Sequence, residues 1–213
     1  MEKSPKINVQ FPLNGSKLPV DHGYILYAAI SRLLPELHSA EWLGIEMISG
    51  VPFGEGLILL PRGATLRMRL PADKFGLVIR LAGKILEIEE HKIRLGIPVA
   101  RPLSPARHLY SRIVTFKNSL TIEKFLETAH REIDQLGVRA KLELPAEEIS
   151  RHRRIIKVKG KKIVGFSLVA RDLSNEDSLK LQAEGLGGRR SMGCGIFNPI
   201  RRSVKDKGGN DGI

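Results

Sequence analysis

The segment Gly185-Leu186-Gly187-Gly188-Arg189-Arg190-Ser191-Met192-Gly193-Cys194-Gly195 decides how the rest of the chain is read. It follows a helical stretch that Ser174 caps and that runs through Ala183, and it precedes Gly195 to Ile200, which reads as a closing strand. A dinucleotide fingerprint runs from strand to helix and carries a third glycine that is missing here. No Gly-Lys-Ser/Thr follows, so the segment is not a P-loop either. Glycines at both ends permit close backbone approach and positive φ. Free N–H groups in such a turn make an anion nest, and Arg189 and Arg190 add charge to it. Phosphate suits such a loop, with Gly185, Gly187, Gly188, Ser191, Gly193 and Gly195 completing the contact set.

Outward from the loop, the elements fall into an order that occurs twice. Lys6 to Phe11 alternates apolar and polar as a strand does, and a helix is expected from Asp21, as its N-cap, to Leu34. Pro35 ends or kinks that helix. Strands are expected at Gly44–Ile48, Gly56–Leu60 and Thr65–Leu70, a helix at Ala72–Gly83, and strands at Lys84–Ile88 and His91–Pro98. The second round comprises a strand at Leu109–Lys117, a helix at Thr121–Leu136 closed by Gly137, and a strand at Val138–Leu144. A hairpin around Gly160, the helix from Ser174 and the closing strand complete it. The fold class is α+β: two tandem ferredoxin-like (βαββαβ, RRM-like) domains with a C-terminal glycine-rich loop. The expected division is 1–102, 103–202 and a disordered tail at 203–213.

Composition narrows the function. Hydrophobic residues make up 42%, enough for packed cores and too many for a disordered chain. No apolar run approaches bilayer length, and Met1 to Lys6 has no apolar signal core behind it, so a cytoplasmic protein is expected. One cysteine, Cys194, excludes an internal disulfide and a multi-cysteine zinc site. The net charge is +12 and is concentrated: Arg151 to Arg171 holds eight Lys or Arg and no acid, and Gly185 to Arg202 holds four Arg and no acid. Two basic segments on an otherwise neutral chain point to a polyanion, nucleic acid before acidic lipid. The plainer alternative is a solvated basic face. Aromatic residues are 5%, and no aromatic-rich strand offers a base-stacking platform. Phosphate contacts are therefore assigned to Arg151, Arg153, Arg154, Lys157, Lys159, Lys161 and Lys162, spread over the hairpin.

The pattern Gly-apolar-Gly, five residues, Gly-apolar-Gly near the C-terminus resembles the glycine-rich loop of the RAMP superfamily. Together with two ferredoxin-like domains it resembles the Cas-six family of CRISPR pre-crRNA endoribonucleases, in its compact myxobacterial-type subfamily. Pro19-Val20-Asp21-His22-Gly23-Tyr24 and Asp177-Ser178-Leu179-Lys180-Leu181-Gln182 carry the resemblance as well. It implies repeat-RNA cleavage by 2′-OH attack, CRISPR repeat RNA (crRNA) as partner, other effector subunits alongside, and no cofactor.

Such cleavage needs a group to take the 2′-OH proton, one to protonate the leaving 5′ oxygen, and cations for the phosphorane. His22, in the first turn of the first helix beside Tyr24, would be kept neutral and base-like by the positive helix end. His38 follows the helix, where the dipole would favour the protonated form. The resemblance implies a catalytic histidine after the first helix in a Leu-His pair, which Leu37-His38 matches, and ranks His38 ahead of His22; Tyr24 completes the candidate set. Without the family, His22 reads equally well as a helix cap and His38 as a loop residue. His91, His108, His130 and His152 are read as structural or surface. No histidine pair has i, i+4 spacing, and no metal is expected. A non-catalytic RAMP-type scaffold and an unrelated ferredoxin-like RNA binder remain the rival readings.

Overall fold

The computed structural model of the chain describes residues 4–145 and 153–200. Arg151, His152, Arg201, Arg202 and the expected tail at 203–213 lie outside the described residues.

The first half contains β1 (Lys6–Asn14), β2 (Lys17–Pro19), α1 (Gly23–Leu33), β3 (Gly44–Ile45), β4 (Val51–Pro52), β5 (Leu57–Leu59), β6 (Thr65–Pro71), α2 (Phe75–Val78), β7 (Ile85–Ile88), β8 (His91–Leu95) and β9 (Val99–Pro102). Its main sheet is antiparallel: β6 lies between β3 and β1, and β1 pairs on its other side with β9 along Ile7–Gln10 and with β8 at Leu13 and Asn14. β9–β1–β6–β3 with α1 and α2 as crossovers is the βαββαβ arrangement. β2, β5 and β4 form a separate small sheet. Val9 and Phe11 face inward from β1 and pack with Leu26 and Ile30 of α1 and with Leu66 and Met68 of β6, all essentially fully buried.

Two expectations for this half are corrected. The strands expected at Lys84–Ile88 and His91–Pro98 are β7 and the shorter β8, a hairpin, while β9, which pairs along β1, was not expected. The expected helix over 72–83 is broken into a single α turn between two 3-10 turns, Ala72–Lys74 and Ile79–Leu81. Gly76 at its centre costs about 1 kcal/mol of helix propensity relative to alanine.

The second half contains β10 (Leu109–Val114), α3 (Ile122–Gln135), β11 (Lys141–Glu143), β12 (Arg153–Val158), β13 (Lys161–Arg171), α4 (Asn175–Glu184) and β14 (Asn198–Pro199). The sheet order β11–β13–β10–β14 repeats the first arrangement, with β12 added as a hairpin on the long β13. Thr121 and Ser174 accept hydrogen bonds from Lys124 and Asp177 N–H, the side-chain caps that start α3 and α4. Phe125 sits between Phe116 and Phe166, ring centroids 5.2 and 4.9 Å away, at the middle of the second core.

Arg69 joins the halves. It lies on β6, is 4% exposed, and donates to the carbonyls of Gln182 and Phe197 at 2.9 and 2.7 Å and to Asn198 Oδ1 at 2.8 Å. Its Nε donates to Asn8 Oδ1 at 3.0 Å. Burial lowers its pKa to about 10, so the guanidinium stays charged at neutral pH. Among the described residues no helix is long and apolar enough to cross a membrane.

Candidate active site

Helix α1 begins one residue later than the sequence suggests. His22, not Asp21, occupies the N-cap position, and it makes no side-chain capping bond. Asp21 reaches away from the helix to accept the backbone N–H of Lys157 at 2.7 Å. The His22 ring is fully buried; Nδ1 donates to the Pro19 carbonyl at 2.7 Å and Nε2 accepts the N–H of Ile48 at 2.9 Å. Burial of the ring, and the bond from Ile48 that takes up its one lone pair, count against His22 as the catalytic base of the sequence reading.

Burial lowers the pKa of His22 below its ordinary 6.5, outweighing the bond to Pro19, which acts the other way. The unfolded chain therefore takes up this proton first as pH falls. The stability tied to neutral His22 is complete above about pH 6.5 and is lost as pH drops toward the depressed folded value. We expect His22→Gln to cost about 1–3 kcal/mol at neutral pH and to flatten the fall of Tm between about pH 7 and 5. Parallel Tm profiles for variant and wild type would show that His22 does not couple folding to pH.

At the other end of α1 the chain turns back. Pro35–Leu37 forms a 3-10 turn, and exposed His38 stacks on Tyr27 with ring centroids 6.1 Å apart and planes 20° apart. The Tyr27 hydroxyl accepts the N–H of Ser39 at 2.9 Å, holding the residue after His38 against the helix. α1 ends at Leu33, so His38 lies beyond the last turn, within which the helix dipole acts. Tyr24 is half-buried on the first turn of α1, near buried His22 in sequence and away from the His38 end. Tyr27 is the aromatic residue that touches His38. Sequence reading missed it because its spacing placed it on the core face.

Ser39, Ala40, Glu41 and Leu43 line an open cleft of about 530 Å³ together with Gly188, Arg189, Arg190 and Ser191. The glycine-rich loop thus meets the segment that follows His38. Gly187 has φ +70°, and a Cβ on it would come within 2.5 Å of the Thr115 carbonyl oxygen. Gly193 has φ +86°, and a Cβ there would press on Met47. The anion nest is smaller than expected. The N–H groups of Gly187, Gly188, Cys194 and Gly195 go to Glu132 Oε2, Thr115 O, Arg189 O and Ile113 O, and Gly193 N–H goes to Arg190 O. Those of Arg189, Arg190 and Ser191 have no partner among the described residues. Arg189, left-handed at φ +63° and exposed, has no partner for its guanidinium among the described residues, whereas Arg190 donates to the Gly187 carbonyl.

On the hairpin, Lys157 and Lys162 stand directly opposite each other, and Lys159-Gly160 make its two-residue turn with φ +49° and +76°. Arg153, Lys157, Lys159, Lys161 and Lys162 are exposed, and Arg154 is half-buried with its Nε unpartnered. Like charges directly opposed across a ladder destabilise it until an anion neutralises them. Arg112 on β10 was not singled out by sequence. It lines a second groove, about 520 Å³, with Arg67, Tyr110 and Arg171. Arg67 and Arg171 are paired with Glu46 and Glu143, while Arg112 has no carboxylate partner among the described residues. Its pKa is lowered by burial and then by the nearby charge of Arg154.

A model of the Cas6 CRISPR family matches residues 7–202, nearly the whole chain. The chain belongs to the Cas6 family. The CRISPR-associated endonuclease Cas6 of Myxococcus xanthus (strain DK1622) is 39% identical over 199 residues, covering 93% of this chain and 84% of that protein. Solved structures share the fold. A Cas6-related protein from Pyrococcus furiosus superposes with TM-score 0.64 at 14% identity, over 93% of this chain and 100% of its own. A RAMP protein described as binding different RNA substrates gives TM-score 0.69 at 12% identity, over 92% and 100%. At those identities the Cas6 fold is what is shared, and the site of this Cas6 family member rests on its own residues. Among the described residues no three His, Cys, Asp or Glu side chains converge as a metal site.

Proposed function

We propose that this chain binds CRISPR repeat RNA, folded as a hairpin, and cuts precursor crRNA into guides without a metal. The observation that carries the reading is the cleft in which the segment after His38 meets Gly188–Ser191 of the glycine-rich loop. His38 is the proton-transfer group, held by its stack on Tyr27. The 2′-hydroxyl gives up its proton as its oxygen attacks the neighbouring phosphorus, the bond to the 5′ oxygen breaks as that oxygen takes up a proton, and the products are a 2′,3′-cyclic phosphate and a 5′-hydroxyl. Arg189 and the unpartnered N–H groups beside it stabilise the charge on the phosphorane. His22 and Tyr24 serve the fold of this site and not its chemistry. The 39% identity to a Cas6 endonuclease supports the reaction class.

The RNA duplex is gripped by Arg153, Arg154, Lys157, Lys159, Lys161 and Lys162, with Arg112 extending the surface. Residues 1–102 and 103–202 are the two domains that form it. The protein keeps its product, works in the cytoplasm where the transcript is made, and hands the guide to other CRISPR effector subunits. Incubation of the host's repeat RNA with the protein in EDTA tests the reading; intact RNA would leave a binding scaffold instead.

The grip has its own test. Replacing Lys157, Lys159, Lys161 and Lys162 together by alanine should flatten the slope of log K against log salt by roughly 0.7–0.9 per lost phosphate contact. An unchanged slope would make this a solvated face.

A further inference from the structure

The motif Pro19-Val20-Asp21-His22-Gly23 supplies no exposed catalytic group, yet three successive residues in it each meet a different distant segment. Asp21 Oδ2 accepts Lys157 N–H on β12, His22 Nε2 accepts Ile48 N–H, and Gly23 lies so close to the glycine-rich loop that a Cβ would come within 2.5 Å of the Met192 carbonyl oxygen. Of the three, Asp21 is the one that reaches the basic hairpin. Among the described residues β12 pairs only with β13. On its other edge Lys157 N–H is anchored by Asp21 and not by a ladder partner. The second carboxylate oxygen, Oδ1, is buried with no hydrogen-bond partner among the described residues. A desolvated acceptor left unmatched costs stability, which a role in function would offset.

We infer that Asp21 is a positioning residue that fixes the RNA-gripping hairpin against helix α1 and so determines which phosphate reaches His38. The inference rests on the roles given above to His38 and to the hairpin. α1 is 11 residues long, a strut of about 16 Å at 1.5 Å per residue. It has Asp21 before one end and His38 beyond the other. Lysine–phosphate contacts hold the RNA but are only weakly directional, so the duplex can shift along a loose hairpin without leaving it. The hydrogen bond from Lys157 makes the hairpin and the strut one body, and grip then becomes register.

The test is single-turnover cleavage of end-labelled repeat RNA, with products resolved to the nucleotide and Kd measured in parallel. Asp21→Ala should cut on the order of 10- to 100-fold more slowly and at neighbouring phosphates as well, with Kd within about threefold of wild type. Asp21→Asn keeps an acceptor for Lys157 N–H and should restore a single cut. Lys157→Pro removes the N–H at an outward-facing edge position that tolerates proline, and should scatter the cuts as Asp21→Ala does. Lys157→Ala, which loses the charge but keeps the N–H, should weaken binding in a salt-dependent way and still cut at one phosphate. A single cut at wild-type rate from Asp21→Ala would overturn the inference, as would scattered cuts from Asp21→Asn or identical products from the two Lys157 variants. If neither Asp21→Ala nor Lys157→Pro folds, Asp21 is a stability residue and the inference is lost. Wild-type protein that cuts nothing defeats the functional reading itself, whereas precise cutting by wild type and variants alike removes only the role of Asp21.

Discussion

His38→Ala is expected to slow single-turnover cleavage of repeat RNA by about 10²–10⁴-fold, the usual contribution of a positioned proton-transfer group. Kd for the RNA should stay within about threefold, because such a group acts in the transition state and adds little to ground-state binding. The imidazole is exposed, lies flat against Tyr27, and precedes the segment that lines the cleft with the glycine-rich loop. Removing it leaves no cavity in a core and breaks no buried hydrogen bond, so the Tm should hold. Wild-type cleavage by His38→Ala, measured in a rapid-mixing assay with saturating protein, would remove His38 from the chemistry. Lost cleavage together with lost binding would place it in the grip.

The largest expected loss of stability is at Arg69. Arg69→Ala should cost about 3–5 kcal/mol, because it removes a buried cation and strands the carbonyls of Gln182 and Phe197 and the side-chain oxygens of Asn8 and Asn198. Arg69→Lys should recover only part of this. A single ammonium cannot span the four acceptors that the planar guanidinium reaches at once. Denaturant unfolding followed by fluorescence and by circular dichroism gives the measurement. A loss below about 1 kcal/mol for Arg69→Ala would show that the join between the halves does not depend on Arg69.

Local chemistry was legible in the sequence. Thr121 and Ser174 cap α3 and α4, Lys159-Gly160 makes the expected hairpin turn, and Gly187 and Gly193 have the positive φ that glycines at the two ends of the loop permit. Each of these depends on residues within a few positions of one another. What was not legible is set by partners far along the chain. β9 is exposed throughout, contains a proline and shows no alternation, and only its pairing with β1 makes it a strand. Capping is a local relation that sequence can suggest for Asp21, whereas its actual partner, Lys157, lies more than a hundred positions away. The anion nest shrank for the same reason: the carbonyls of Thr115 and Ile113, distant in sequence, occupy N–H groups that looked free. Within the candidate site, Leu37-His38 could be read as a motif. Tyr27 could not, since aromatic residues at core spacing on a helix are ordinarily packing.

The join made by Arg69 has an evolutionary asymmetry. Two of its acceptors in the second half are main-chain carbonyls, those of Gln182 and Phe197, which every amino acid presents. Mutation at those two positions can change the side chain without deleting the acceptor, while almost any mutation at Arg69 deletes the donor. Sequence drift is therefore tolerated on one side of the seam and penalised on the other. The second half can change side chains at those two positions while the carbonyls that place it on the first half stay where they are.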